Sequence, residues 1–217
     1  MTGKALGSFM GKGFFTGKGG TLLGVDINDT AIRLIELGRS ASGYNVQGYV
    51  TQALPAQAVV DGTLLDLDGV GRALRSAWSR LSTSVRGAVA AVSGPSVITR
   101  MIEMDAGLSD DEMTWMIQME ADQYITYPLD DVAIDFQVRG PTALDPSRVE
   151  VLLAACLKEH VEAREAVLTL AGLVPKVIDI EEFALARACR QDFASFTPGQ
   201  RVRGAHSAGG APGVGIA

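Results

Sequence analysis

Two short apolar runs, Leu22–Ile27 and Ile32–Leu37, read as strands, with Asn28-Asp29-Thr30 between them. Asn and Asp tolerate φ > 0, so the pair is predicted to form a tight hairpin. Tyr44–Thr51 alternates polar and apolar and reads as a third strand. Val59-Val60-Asp61-Gly62 is a turn into Thr63–Leu65. Asp68 is placed to cap a helix with Val70, Ala73, Leu74, Ala77 and Leu81 on one face. Val85–Val92 reads as a buried strand, Ser93-Gly94-Pro95 breaks it, and Val97–Met104 follows as another.

The same reading continues along the chain. Ser109 and Glu112 make a capping box for a helix to about Ile125, with Met113, Met116, Ile117, Ala121 and Tyr124 as its apolar stripe. Pro128 stops it. Val132–Val138 alternates as a strand, 140–147 is a loop, and Val149–Leu157 is a buried strand. Lys158–Ala171 is a helix with Ala163, Ala166, Val167 and Leu170 on one face, and Gly172 is its left-handed C-terminal residue. A short strand, Val177–Ile180, and a helix, Glu181–Cys189, complete the core. Glu181 and Glu182 favour that helix's dipole. Alternating strands and helices give a mixed α/β (α+β) class. No internal repeat runs at a fixed long period.

Composition narrows the function. The 217 residues are 47% apolar and 20% charged, as in soluble globular proteins of one large domain or two small ones. Nineteen Lys and Arg against 25 acids leave a net charge of −6, which argues against general nucleic-acid binding. The longest apolar run, Val151–Leu157, is far shorter than the ~20 residues that span a bilayer. No secretory signal is evident. Cys156 and Cys189 are too few for a disulfide framework, so a reducing cytoplasm is the expected compartment. Cys156 reads as a small core residue, and His160 stands without catalytic neighbours. Eight of the 25 glycines lie in residues 1–24 and six in 199–217. Residues 1–20, with Lys4, Lys12 and Lys18 and no acid, read as a loose basic arm, and the residues from 190 onward as a disordered or aberrant tail.

The first hairpin carries candidate chemistry. Backbone amides and the Thr30 hydroxyl at a tight turn can hold phosphate oxygens. Asp26 can hold Mg²⁺ through water, and Arg33 can offset phosphate charge. The alternative is an ordinary hairpin whose Asn and Asp serve turn geometry.

At this point four stretches become recognisable. LGVDINDTAIRLIEL, Leu54-Pro55 with Val59-Val60-Asp61-Gly62, Ala106–Pro141 and Val149–Ala188 resemble, in order, segments of the type IV pilus assembly PilM family. This is a bacterial branch of the actin-like ATPase superfamily, related to the cell-division protein FtsA. The resemblance implies an RNase H-like subdomain 1A from residues 21–99, an inserted subdomain 1C over 100–173, and a return to 1A at 174–189. It implies ATP and Mg²⁺ as ligands, with Asp26, Asn28, Asp29, Thr30 and Arg33 at the first phosphate hairpin. It departs from the family pattern at Asn28, where Gly is usual, at Asp29, where a small residue is usual, and at Arg33, where Lys is usual. The second phosphate hairpin and the adenosine motif are not recognisable. The expectation is therefore a C-terminally truncated chain that binds ATP weakly or not at all.

Residues 101–138 hold ten acids and no Lys or Arg. Such a face steers a basic partner, or is simply a solvated acidic surface. Trp115 and Met119 lie opposite the apolar stripe of their helix, where they pack under subdomain 1A or form a partner groove. The family resemblance implies a cytoplasmic scaffold, peripheral to the inner membrane, that binds the N-terminal cytoplasmic tail of PilN in a groove between 1A and 1C. Trp115, Met119, Asp122 and Met104 are the candidate partner residues. Other platform proteins and the pilus motor ATPases are further implied partners, with no nucleic acid and no direct membrane insertion. Pilus biogenesis, twitching motility and DNA uptake are the implied processes. Two alternatives are an actin-like ATPase lacking its second half and a divergent FtsA-type protein.

Overall fold

A computed structural model describes residues 21–40, 43–94 and 97–195. The expected basic arm at 1–20, Pro95 of the expected strand break and the part of the expected tail from 196 onward lie outside the described residues.

A five-stranded sheet forms the larger body. Its strands are β1 (Leu23–Ile27), β2 (Ala31–Ser40), β3 (Gly43–Ala53), β6 (Gly87–Val92) and β10 (Val174–Ile180), in the order β10-β6-β1-β2-β3. β1, β2 and β3 are antiparallel, while β6 runs parallel to both β1 and β10. Leu23, Val25, Ile32 and Leu34 alternate into the core, as a period of two requires when one sheet face is covered. On the other face Gly24 lies across from Ile35, where a Cβ would come within 2.8 Å of the Ile35 side chain.

Helices α1 (Leu67–Leu81) and α3 (Lys158–Ala171) pack against each other and into the same core. Gly71 makes the close approach possible, because a Cβ there would sit 2.9 Å from Leu170. The cap of α1 is Asp66 rather than the expected Asp68. The Asp66 carboxylate accepts from the Gly69 amide at 2.8 Å, leaving Asp68 in the first turn. α3 ends as expected at Gly172 (φ 91°), with Gly172 N donating to Thr169 O and Leu173 N to Leu168 O. Helix α4 (Glu181–Ser195) continues six residues past the expected end at Cys189, so the expected tail does not begin at 190. Between β3 and α1, β4 (Val59–Val60) and β5 (Thr63–Leu64) make a minimal hairpin. Asp61 (φ 49°) and Gly62 (φ 76°) are both left-handed at its two-residue tip, which is why the sequence is Asp-Gly.

The second unit is an antiparallel sheet of order β7-β9-β8, from β7 (Val97–Asp105), β8 (Val132–Pro141) and β9 (Arg148–Leu157). Helix α2 (Asp110–Glu120) covers one face and passes into a 3-10 turn at Ala121–Gln123, short of the expected end at Ile125. The Ser109–Glu112 capping box is present as read.

The register shows which face is which. Ile102, Met104, Val149, Val151, Leu153, Ile134 and Phe136 share one face and pack on Met113 and Ile117 of α2. Val97, Cys156, Ala154 and Ala133 point to the other face and join the core of the larger body. β9 is buried on both sides, which explains its unbroken apolar run.

Candidate functional site

The tip of the β1–β2 hairpin is built from its own side chains. Asn28 Oδ1 accepts from Thr30 N (3.0 Å), Thr30 Oγ1 (3.1 Å) and Ala31 N (2.9 Å). Positive φ is not used here. Among the described non-glycine residues it occurs at Gln57, Asp61 and Ser82. A side-chain acceptor closes the turn instead. Asp26 and Arg33 are cross-strand neighbours in an ion pair of 2.6 Å. The hydrogen bond and charge of Asp26 hold the Arg33 guanidinium above its ordinary range. Asp29 turns away from both and accepts from Asp61 N (3.3 Å) and Gly62 N (3.2 Å).

The polar groups of the hairpin bond to one another and to the neighbouring turn. The Asn28 acceptor, the Asp29 carboxylate and the Arg33 cation are each engaged inside the protein. Asp26, Asp29 and Arg33 together leave one net negative charge at the tip, which repels an anion. Among the described residues no group of three His, Cys, Asp or Glu side chains is placed to hold a metal ion. The expected phosphate site comprises Asp26, Asn28, Asp29, Thr30 and Arg33. The structure divides them into an ion pair, a turn closure and a strap.

The strap leads to a residue the sequence reading missed. Arg164 of α3 is 1% exposed. Its Nε donates to Ala91 O (2.5 Å), one terminal nitrogen to Gly62 O (2.9 Å) and the other to His160 O (3.1 Å). The guanidinium therefore binds the Asp61–Gly62 turn from one side while Asp29 binds it from the other. Burial is the main cause of its lowered pKa. The expected stripe of α3 was Ala163, Ala166, Val167 and Leu170. The buried positions are Val161, Arg164, Val167, Leu168 and Ala171, and Leu170 is exposed. An Arg three residues after Val161 and four before Leu168 was the available signal.

The partner candidates also separate. Met104 is 6% exposed, packed beneath α2 with Met113 and Val149, and is a core residue rather than a surface one. Trp115 and Met119 are 63% and 66% exposed, and Asp122 is exposed. They do not line a groove between the two sheets, because α2 covers the small-sheet face that points away from the larger body. On the face turned toward that body, Met101 is 53% exposed beside buried Leu152. β7 is also an edge strand, so its outer backbone groups are open to an added strand.

Residues 24–203 match the family described as type IV pilus assembly protein PilM. The chain belongs to the PilM family. The matched span runs beyond Ala188, the last residue of the stretches that resemble the family. A solved PilM–PilN type IV pilus biogenesis complex matches with a TM-score of 0.70 and 26% identity, covering 80% of this chain and 51% of that one. Two weaker similarities are to the cytoplasmic domain of EpsL, an inner-membrane component of the type II secretion system of Vibrio cholerae (16% identity, TM-score 0.48, 74% of this chain and 57% of that one), and to the ethanolamine utilization protein EutJ from Carboxydothermus hydrogenoformans (16%, 0.41, 79% and 40%). This PilM-family chain spans about half the length of the PilM structure it matches. Its fold is the mixed α/β fold of the actin-like ATPase superfamily. No helix among its described residues is long and apolar enough to cross a membrane.

Proposed function

We propose that this chain is a cytoplasmic PilM-type scaffold at the inner-membrane platform of the type IV pilus, and that it holds the N-terminal cytoplasmic tail of PilN. The likeness to the PilM of a PilM–PilN complex carries the reading. Localisation at the inner membrane follows through that partner, and other platform proteins and motor ATPases would assemble around it. The surface that best suits an extended tail is the β7 edge with Met101, on the side facing the larger body. A tail there gains strand hydrogen bonds and an apolar anchor together. The first hairpin acts as a structural clasp, and scaffolding needs no nucleotide chemistry from it.

Fluorescence polarisation with a labelled PilN-tail peptide tests this. Met101→Asp should weaken capture about 10- to 100-fold, the consequence of losing a buried Met worth about 1.5–3 kcal/mol. The melt should stay within about 0.5 kcal/mol of the parent, since the side chain is half exposed. Absence of binding by the parent chain would overturn the scaffold reading. Unchanged binding by Met101→Asp would overturn the location.

A further inference from the structure

Charge is segregated along the chain. Residues 69–102 hold five Arg and no Asp or Glu, whereas residues 101–138 hold ten acids and no Lys or Arg. Each half of this division carries exposed apolar side chains. Asp111, Trp115, Met119 and Asp122 follow one another at spacings of four, four and three, so they form one stripe along α2 and its 3-10 extension. Trp115 and Met119 are mostly in water, and among the described residues neither acid is in an ion pair. The stripe is apolar in the middle and negative at both ends.

The larger body carries a patch of the opposite sign. The Arg86 guanidinium lies over the Trp78 ring, 5.2 Å from its centroid, and a Cβ at Gly172 would meet the same ring at 3.6 Å. Arg75 donates to Leu170 O, and Val174 N donates to Arg86 O. These contacts gather exposed Leu170 and Val174 with Arg75 and Arg86, and Lys176 follows two residues along β10. Residues 166–178 contain no acid. Val174 pairs with Gly87 at the end of the large sheet where β6 enters. The small unit hangs from the end where β6 leaves, since β7 follows the turn at Gly94. The length of β6, about 20 Å, and the small unit itself therefore separate patch from stripe, and the two do not meet within one copy.

We propose that copies of this chain associate head to tail, the Trp115–Met119 stripe of one copy docking on the Leu170–Val174 patch of the next, with Asp111 and Asp122 against Arg75, Arg86 and Lys176. Complementary charge selects this pairing, because stripe on stripe or patch on patch would set like charges together. The two surfaces differ and lie at opposite ends, so the contact does not close on itself. Each added copy leaves one stripe and one patch free. Two apolar side chains on either surface make a small interface of the weak, transient kind. Its charges lie at the surface, so salt weakens it. The contact uses neither β7 nor Met101 and is independent of the proposed tail site.

Analytical ultracentrifugation of the full chain tests this, in a low-salt series up to about 1 mM, the weak end of specific affinities. The mean mass should climb past that of a dimer without a plateau. It should fall back toward the monomer at about 0.5 M salt, where the Debye length is about 4 Å. Trp115→Ala should raise the dissociation constant about 10- to 100-fold, as truncation of a central Trp anchor does. Asp111→Lys/Asp122→Lys and Arg86→Glu/Lys176→Glu should each be monomeric alone and should associate when mixed. In the mixture one contact keeps the parent charges and the other has both partners reversed. Association of the mixture also requires both variants to be folded, which separates a lost contact from a lost fold. A parent that stays monomeric throughout overturns the proposal, as does a plateau at the dimer, which would mean a closed two-fold pair. So does association indifferent to Trp115→Ala, or a mixture that remains monomeric.

Discussion

Replacing Arg164 with Met isolates the contribution of a buried cation that has backbone oxygens for partners. The substitution keeps an unbranched apolar stem and removes the guanidinium with its donors. His160 O lies one helical turn before residue 164 and retains its intrahelical amide. Ala91 O and Gly62 O lose a charged donor. Hydrogen bonds to a charged group are worth about 1.5–3 kcal/mol each, so the gross loss is about 3–6 kcal/mol. Removing an unpaired buried charge also removes its desolvation cost, which offsets part of this. The net expectation is a destabilisation of about 2–4 kcal/mol, read as a lower urea midpoint at unchanged slope. At about 2–4 °C per kcal/mol for a chain of this size, the melting temperature falls by roughly 5–15 °C. Amide exchange at Asp61 and Gly62 should quicken more than exchange in β9, because the turn loses one of its two ties. A variant within about 0.5 kcal/mol of the parent would refute the reasoning and show that the two carbonyls find other donors.

Three further outcomes are expected. Burial, and secondarily the Arg164 guanidinium, hold His160 below its ordinary 6.5. The unfolded chain therefore takes up this proton at a higher pH than the folded one, so stability falls as the pH drops below 6.5. His160→Gln should flatten the difference between urea midpoints at pH 7.5 and 5.5, and an unaltered difference would assign it to other groups. Ser109→Ala should cost about 1 kcal/mol in a urea melt. It should also move the Glu112 carboxyl only part of the way back up, since the hydroxyl is lost while the backbone amide of residue 109, the larger cause of its lowering, remains. Calorimetric titration with ATP·Mg²⁺ should give no micromolar binding, and micromolar affinity would show that the Asp26–Arg33 pair and the Asp29 strap open for a phosphate.

The features that were legible in the sequence are those set by near neighbours. The capping box needs only Ser109 and Glu112, the C-terminal left-handed residue needs only Gly172, and the strand runs show by their own period. What the sequence hid depends on distant partners. Asp29 looks like a phosphate-loop residue until Asp61 and Gly62, 32 and 33 positions later, supply the amides it accepts from. Arg164 looks like a solvated helix residue until Ala91 and Gly62 come to it from two other elements. Met104 and Met101 are three residues apart and therefore on opposite faces of β7. Only the position of α2 shows that the first is core and the second is open.

Leu157 ends β9 and Lys158 begins α3, with nothing between them. The middle strand of the small sheet is thus directly continuous with the helix that Arg164 ties to the larger one. Mechanical tension from a tail gripped along β7 would pass sideways into β9 and then lengthwise into α3. From there it reaches Gly62 and, through the Asp29 strap, the hairpin tip.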